Sequence, residues 1–230
     1  SQRPVYLYTE TIRHAISMGE ALQQPVSVCP YPVFGVKGDT DQEREIPYPD
    51  KFIVGMLGGG RRDKGFQRVP DIIQSYNSKA QGDCRVEFLI QAPRRQDKLE
   101  SEVQTLSSIS NVRILENKID ENQYRELLQS CHVMLFPYKE EIYHSRGSGV
   151  LWEAVANGIP FVCTKNTSLE DGFLSKNGCS ASLIPEFSEA LIKILRNWML
   201  FKRNAFNAAA LYRSRLENHP VVENVRIYRN

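Results

Sequence analysis

From about residue 50 onward the chain alternates two kinds of segment, and this alternation restricts its fold more than any other feature. Short unbroken apolar runs, KFIVGMLGG, CRVEFLIQA, NVRILEN, HVMLFPY and IPFVCT, are bounded by glycine, proline or polar residues. Between them lie longer segments whose apolar residues recur at helical spacing, as Phe66, Val69, Ile72, Ile73 and Tyr76 do in KGFQRVPDIIQSYNSKA. DKLESEVQTLSSI, ENQYRELLQSC and VLWEAVANG read the same way. Pro70 falls in the early turns of its helix, where the missing N–H breaks no helical bond. A strand that is apolar at every position is covered on both faces, and successive parallel strands need a helical crossover. The pattern therefore predicts an α/β domain, a parallel sheet with helices on both faces. After IPFVCT it predicts a small strand at SASLIP and one long helical tail from Glu186 to about Leu216.

The first fifty residues break the pattern. YLYTETIRHAISMGEAL reads as a helix, VSVCPYP as a short strand, and FGVKGDTDQEREIPYPDK as a charged connector of the kind that marks a domain edge. Three parts follow: 1–49 as the end of a preceding domain with its connector, 50–200 as the α/β domain, and 201–230 as a C-terminal helical tail. The 230 residues, 41% hydrophobic and 24% charged, suffice for a sizeable core. A net charge of +2 carries no nucleic-acid footprint, although Arg61–Arg62 and Arg94–Arg95 are local basic points. No apolar run approaches the roughly 18 residues that span a bilayer. SQRPVYLYTETIRHA lacks the apolar centre of a signal peptide. Cys29, Cys84, Cys131, Cys163 and Cys179 show no metal-ligand spacing and sit mostly in or beside apolar runs, which predicts reduced thiols and a cytoplasmic protein.

Two stretches carry chemistry. GGGRRDKGF closes the first strand of the repeating region, with Gly59 and Gly60 allowing backbone to approach a ligand and Arg61, Arg62 and Lys64 offering cationic donors. Carboxyl ends of parallel strands are where open α/β sheets bind ligands, and helix amides beginning near Lys64 would favour an anion. Gly60-x4-Gly65 precedes Phe-Gln, so this is no Walker loop, and the glycine spacing is not GxGxxG. A glycine turn with solvated charges remains the plainer alternative. The second stretch, SRGSG, runs from Ser145 through Arg146, Gly147 and Ser148 to Gly149 and opens an apolar helix. Its free N–H groups would point at the same sheet end, and Ser148 would either cap the helix or meet a phosphate oxygen. Glu153 lies in that helix among Val150, Leu151, Trp152, Ala154 and Val155. An acid so placed needs a partner, either a neighbouring Arg or Lys or a pair of ligand hydroxyls. His144, in the loop before SRGSG, is a further candidate contact, and Lys165–Thr167 end a strand on the same side.

The order GGGRRDKGF, VRILENKIDENQYRELLQSCHVMLFPY, SGVLWEAVANGIPFVCT, SLIPEFSEALIKIL resembles the donor-binding, C-terminal domain of retaining GT-B glycosyltransferases of the group 1 type, over about residues 50 to 200. The most specific part is G-x-x-x-x-E-A-x-A-x-G-x-P from Gly149 to Pro160. The resemblance implies one Rossmann-like half of a GT-B fold that binds a nucleotide-diphosphate sugar as donor, without a resident cofactor or metal. It assigns Arg61 and Lys64 to the diphosphate, Glu153 to the ribose hydroxyls as the second acid of an E-x7-E motif, and Gly147, Ser148 and Gly149 to phosphate or sugar. Backbone near Lys118 and Ile119 falls where the family reads the base. The first acid of E-x7-E falls at Ser145, with Glu140 and Glu141 nearby. The opening residues resemble the last N-domain helix, interdomain strand and linker of such enzymes, which implies a donor half separated from its N-terminal acceptor domain and inactive alone. It implies no nucleic-acid partner, and peripheral membrane contact only through the acceptor. The alternative from another class is a non-catalytic Rossmann-like binding or assembly module.

Overall fold

The computed structural model describes residues 7–29, 31–33, 47–80, 85–115 and 118–220. In chain order the strands are β1 (Tyr8–Thr9), β2 (Ser27–Val28), β3 (Phe52–Met56), β4 (Val86–Gln91), β5 (Val112–Leu115), β6 (Val133–Phe136), β7 (Phe161–Thr164) and β8 (Gly178–Ala181). The α-helices are α1 (Ile12–Leu22), α2 (Val69–Lys79), α3 (Glu100–Ser107), α4 (Glu121–Ser130), α5 (Glu140–Tyr143), α6 (Gly149–Ala156), α7 (Ile184–Arg196) and α8 (Trp198–Glu217). Six strands form one parallel sheet in the order β5-β4-β3-β6-β7-β8. The α/β reading is therefore correct, and the unbroken apolar runs have a direct cause. Phe52, Val54 and Met56 of β3, Phe88 and Ile90 of β4, and Val133 and Leu135 of β6 enter the core beneath α2 and α7. Their alternates Leu89, Met134 and Phe136 enter a second core beneath α4, α6 and α8. The central strands thus feed both faces at period two and are almost wholly buried.

Three elements differ from expectation. Tyr8–Thr9 is extended and pairs in parallel with β2, so the first helix starts only at Ile12. Thr11 is the reason: its side chain accepts from the His14 N–H and caps α1 there. The strand read at SASLIP ends at Ala181, because Pro185 sits in the first turn of α7 where its fixed φ suits a helix start. The long tail is two helices, broken at Asn197 (φ −112°, ψ 34°), which caps α7. The break lets α7 lie beside α2 while α8 turns to lie along α6. Cys131 and Cys163 are buried free thiols, Cys179 is a half-buried free thiol, Cys29 is half-buried, and Cys84 lies outside the described residues.

The end of α8 fastens the opening segment to the sheet domain. Tyr212 stacks on Trp152 of α6 with ring centroids 5.5 Å apart. Its hydroxyl donates to the Tyr31 carbonyl at 2.5 Å and accepts from the Val33 N–H at 3.1 Å. His219 adds an edge contact with Tyr8. Among the described residues no helix is long and apolar enough to cross a membrane.

Candidate functional site

The strand order dictates where the crevice lies. From β3 the chain passes outward to β4, whereas from β6 it passes the other way to β7, so the connections diverge at the β3/β6 boundary. A topological switch of this kind opens a crevice at the carboxyl ends of the two strands. The turn 58–65 leaves β3 there, and the loop leading through Tyr143 to the start of α6 leaves β6. The two stretches singled out in the sequence therefore share one rim. They also touch: a Cβ built on Gly58 would lie 2.7 Å from Val150 Cγ2 and 2.7 Å from Lys64 Nζ.

The amides of the glycine turn are taken up within the protein. The N–H groups of Gly58 and Gly59 donate to Gln91 Oε1 at 2.7 and 2.8 Å, and the Gly60 N–H points to the Ala92 carbonyl at 3.4 Å. Those donors are engaged by the end of β4. Gly59 still leaves room, since a Cβ there (φ +75°) would meet nothing within 4 Å. No helix begins at Lys64: Gly65 takes φ +69°, and a Cβ on it would lie 1.8 Å from the Pro137 carbonyl oxygen. Gly65 thus allows the turn to press against the end of β6, and the following 3₁₀ turn starts at Phe66.

Lys64 points inward. It is 6% exposed, its Nζ donates to the Gly58 carbonyl at 2.7 Å and it lies 5.5 Å over the Tyr138 ring. Burial, then the neighbouring Arg61, lower its pKa to about 8. Arg61 pairs with Asp63 (Nε to Oδ1, 3.0 Å), and its Nη2 donates to the Tyr143 hydroxyl at 3.3 Å. Asp63 also faces Arg146 Nη1 at 3.5 Å, and the Arg146 guanidinium lies 5.4 Å from the centre of the Tyr143 ring. One carboxylate therefore ties the cationic turn to the loop before α6. The Tyr138 hydroxyl is fully buried beneath these groups, beside Ser148 and without a well-formed hydrogen bond.

On the second turn Ser148 is the N-cap of α6, its hydroxyl accepting from the Leu151 N–H at 3.4 Å. Ser145 carries its carbonyl under the Thr11 hydroxyl, which donates to it at 2.6 Å. Arg13 Nη1 donates to His144 Nδ1 at 2.7 Å and to the Asn166 carbonyl at 2.9 Å. A Cβ on Gly147 would lie 2.5 Å from Glu10 Oε2, and one on Gly149 would lie 3.3 Å from the Tyr31 ring. The opening segment, through Glu10, Thr11, Arg13 and Tyr31, thus walls this side of the crevice. Glu140 and Glu141 project from α5 as exposed side chains and do not fill the place of an acid at 145.

Glu153 is half-buried, and its partner is neither of the two expected kinds. Its Oε2 accepts a very short hydrogen bond from the Tyr124 hydroxyl of α4. Burial raises the Glu153 pKa, while the Tyr124 hydrogen bond and the charge of Lys64 lower it. Lys118 is exposed and Ile119 half-buried at the far end of β5, directly before Asp120, the N-cap of α4. Sequence reasoning missed Tyr124, Gln91, Asp63 and the wall built by the opening segment. Only Tyr124 left a trace, a phenol on the inner side of an amphipathic helix whose hydroxyl needs a partner. Among the described residues no group of three or more His, Cys, Asp or Glu is placed to hold a metal ion.

Comparison with known proteins agrees with this geometry. The family described as "Glycosyl transferases group 1" matches residues 51–197. No curated protein is detectably similar in sequence. Among solved structures, the pneumococcal O-GlcNAc transferase GtfA in complex with UDP and GlcNAc superposes with a TM-score of 0.67 at 15% identity, covering 96% of this chain and 45% of that one. HepE from Anabaena in complex with UDP-glucose gives 0.68 at 15% identity, over 97% of this chain and 63% of HepE. WaaG, a glycosyltransferase involved in lipopolysaccharide biosynthesis, gives 0.63 at 15% identity over 96% and 61%. The chain spans less than two thirds of the length of each of these neighbours, and the likeness lies in the fold.

Proposed function

The chain belongs to the group 1 glycosyl transferases, and on that premise we propose that its β3/β6 crevice binds the nucleoside-diphosphate end of a sugar donor. Its sheet is the Rossmann-like half of a GT-B fold. One observation carries the reading: Gly58 lies against Val150, so the cationic turn and the start of α6 form a single rim around Lys64 and Glu153. Arg61, Lys64 and Arg146 supply positive charge there. In glycosyl transfer the bond from the anomeric carbon to the diphosphate oxygen breaks; the sugar becomes oxocarbenium-like and the oxygen leaves with negative charge. Fixed cations and the amides that open α6 stabilise that charge, each at about 3 kcal/mol if they act like oxyanion-hole donors. These groups can serve a leaving diphosphate without a metal ion, and the reading includes retention of configuration. Glu153 takes the ribose hydroxyls, and the base lies toward Lys118 and Ile119, whose loop leads into the helix that touches Glu153. Gly59 gives the donor an open approach, and Ser148 acts through the helix it caps.

Residues 1–49 act in this reading as the end of an acceptor-side domain with its connector, 50–200 as the donor domain, and 201–230 as the helical tail. The likeness to longer enzymes over nearly the whole chain supports that division. Groups that activate an acceptor belong to the remaining domain, so the isolated chain binds donor and does not transfer it. The reading places the protein in the cytoplasm, consistent with the buried free thiols Cys131 and Cys163, with membrane contact only peripheral and through the acceptor.

Calorimetric titration with UDP, GDP and their sugars tests the proposal, with Lys64→Ala and Glu153→Ala as controls. Each substitution is expected to weaken binding about tenfold or more, the loss of one charged contact; failure of the parent chain to bind any of these nucleotides would reject it. Ser145, whose carbonyl is held by Thr11, favours the second reading, a binding module without catalysis. Joining the chain to its acceptor-side domain separates the two, since only an enzyme then transfers sugar.

A further inference from the structure

We propose that Tyr124 is the positioning residue of this site, aiming the Glu153 carboxylate at the ribose hydroxyls through its own hydroxyl. The inference rests on the donor-binding reading and goes beyond it. Tyr124 and Glu153 lie on different helices, α4 and α6, and the Tyr124 O–H···Oε2 bond is a direct side-chain link between them. Glu153 is flanked by buried Leu151, Trp152, Ala154 and Val155. A carboxylate in such surroundings tends to take up a proton, and a protonated carboxyl accepts poorly from a diol. Tyr124 of α4, Lys64 of the cationic turn and Tyr212 of α8 face it, and of these Tyr124 and Lys64 favour its ionised form. Lys64 acts by charge alone, whereas Tyr124 also fixes direction, because its donor engages one of the two carboxylate oxygens. Burial, with Glu153 beside it, drives the Tyr124 hydroxyl far above its usual pKa. It stays a donor throughout the physiological range and never becomes a competing anion. The same helix starts directly after Lys118 and Ile119, so base and ribose positions are set by one rigid element.

The experiment titrates the full 230-residue chain with UDP, GDP and their 2′,3′-dideoxy analogues, across pH, in parent, Tyr124→Phe and Glu153→Gln. Tyr124→Phe keeps the ring and its packing and removes only the hydroxyl. It is expected to weaken the ribonucleotide about fivefold, the worth of one hydrogen bond of roughly 1 kcal/mol, and to leave the dideoxy analogue unchanged. The acidic fall in ribonucleotide affinity is expected to begin at higher pH in Tyr124→Phe than in the parent, which loss of packing alone would not produce. If the variant does not fold, 3-fluorotyrosine at position 124, a stronger donor, is expected to move that fall to lower pH. Equal weakening of both nucleotides, or no change in either, overturns the role of Tyr124. Loss of ribose discrimination in Glu153→Gln but not in Tyr124→Phe overturns this inference alone. Absence of nucleotide binding by the parent overturns the donor reading and this inference with it.

Discussion

Lys64 shows how one residue can be costly to the fold and useful to the site. An ammonium at 6% exposure has lost most of its hydration, and the structure gives it the Gly58 carbonyl and the face of the Tyr138 ring in return. Its pKa falls from 10.5 to about 8 for that reason, and Arg61 pushes the same way. Two consequences carry opposite signs. Because the folded value lies below the unfolded one, the penalty is fully present below about pH 8 and is relieved as pH rises from there toward 10.5. Lys64→Met is therefore expected to stabilise the chain by about 1–2 kcal/mol near neutral pH, read as a higher urea midpoint. A bound diphosphate favours the charged amine, so nucleotide affinity is expected to fall about tenfold between about pH 7.5 and about pH 9.5. In Lys64→Met that slope should vanish along with most of the affinity. A variant that is both less stable and unaltered in its pH profile would show that Lys64 is an ordinary packing residue.

At the scale of elements, strands were the legible part and loops were not. β3, β4, β6 and β7 announce themselves because both their faces are buried, so composition alone marks them. The short β1 could not be read, since two residues carry no periodicity and its pairing with β2 is set by the fold around it. The break at Asn197 was hidden because α7 and α8 are each amphipathic but face different neighbours. Within the site the sequence marked two turns that the sheet brings to one rim, but not the partners of their groups. The glycines of the first turn mark a close backbone approach, but nothing in their spacing shows that Gln91, about thirty residues away in sequence, takes the Gly58 and Gly59 amides. Spacing along one element cannot report a partner on another, and the Tyr124–Glu153 bond escaped for the same reason. The glycines nevertheless allow a clean comparison. Gly65→Ala puts a methyl 1.8 Å from the Pro137 oxygen at φ +69°, so a loss of about 3 kcal/mol or more is expected in urea unfolding. Gly59→Ala, at φ +75° with open space around it, should cost only about 1 kcal/mol. On the donor-binding reading, Gly59→Ala should instead show itself as weaker nucleotide binding. Equal stability losses at the two positions would mean that the turn relaxes and that its contact with β6 is not rigid.

For the molecule as a whole, the question is how tightly residues 7–33 are joined to the sheet domain. The sheet is sealed on both faces, whereas α1 buries only Ala15 and leaves Ile12, Ile16 and Leu22 exposed. What holds the opening segment is mainly polar: Thr11 on Ser145, the Ile12 amide on Asp171, Arg13 on Asn166, and the Tyr212 hydroxyl between Tyr31 and Val33, with Val33 against the second core and Tyr8 edge-on to His219 as its apolar contacts. Hydrogen bonds of this kind contribute about 1 kcal/mol each, whereas opening the sheet exposes two hydrophobic cores. Local opening of the α1 unit should therefore precede global unfolding. In hydrogen exchange, amides of α1 are expected to exchange at least about thirtyfold faster than those of β3 and β6, a difference of roughly 2 kcal/mol in opening free energy. Tyr212→Phe keeps the stacking on Trp152 but removes both bonds to the opening segment. It should raise exchange in α1 about tenfold further and leave β3 and β6 unchanged. Because Glu10, Thr11, Arg13 and Tyr31 wall the crevice, the same substitution should also weaken nucleotide binding. If Tyr212→Phe accelerates exchange equally everywhere, or if α1 is as protected as β3, the opening segment is part of a single cooperative core. Its contacts with the crevice would then report packing and not a wall that can open.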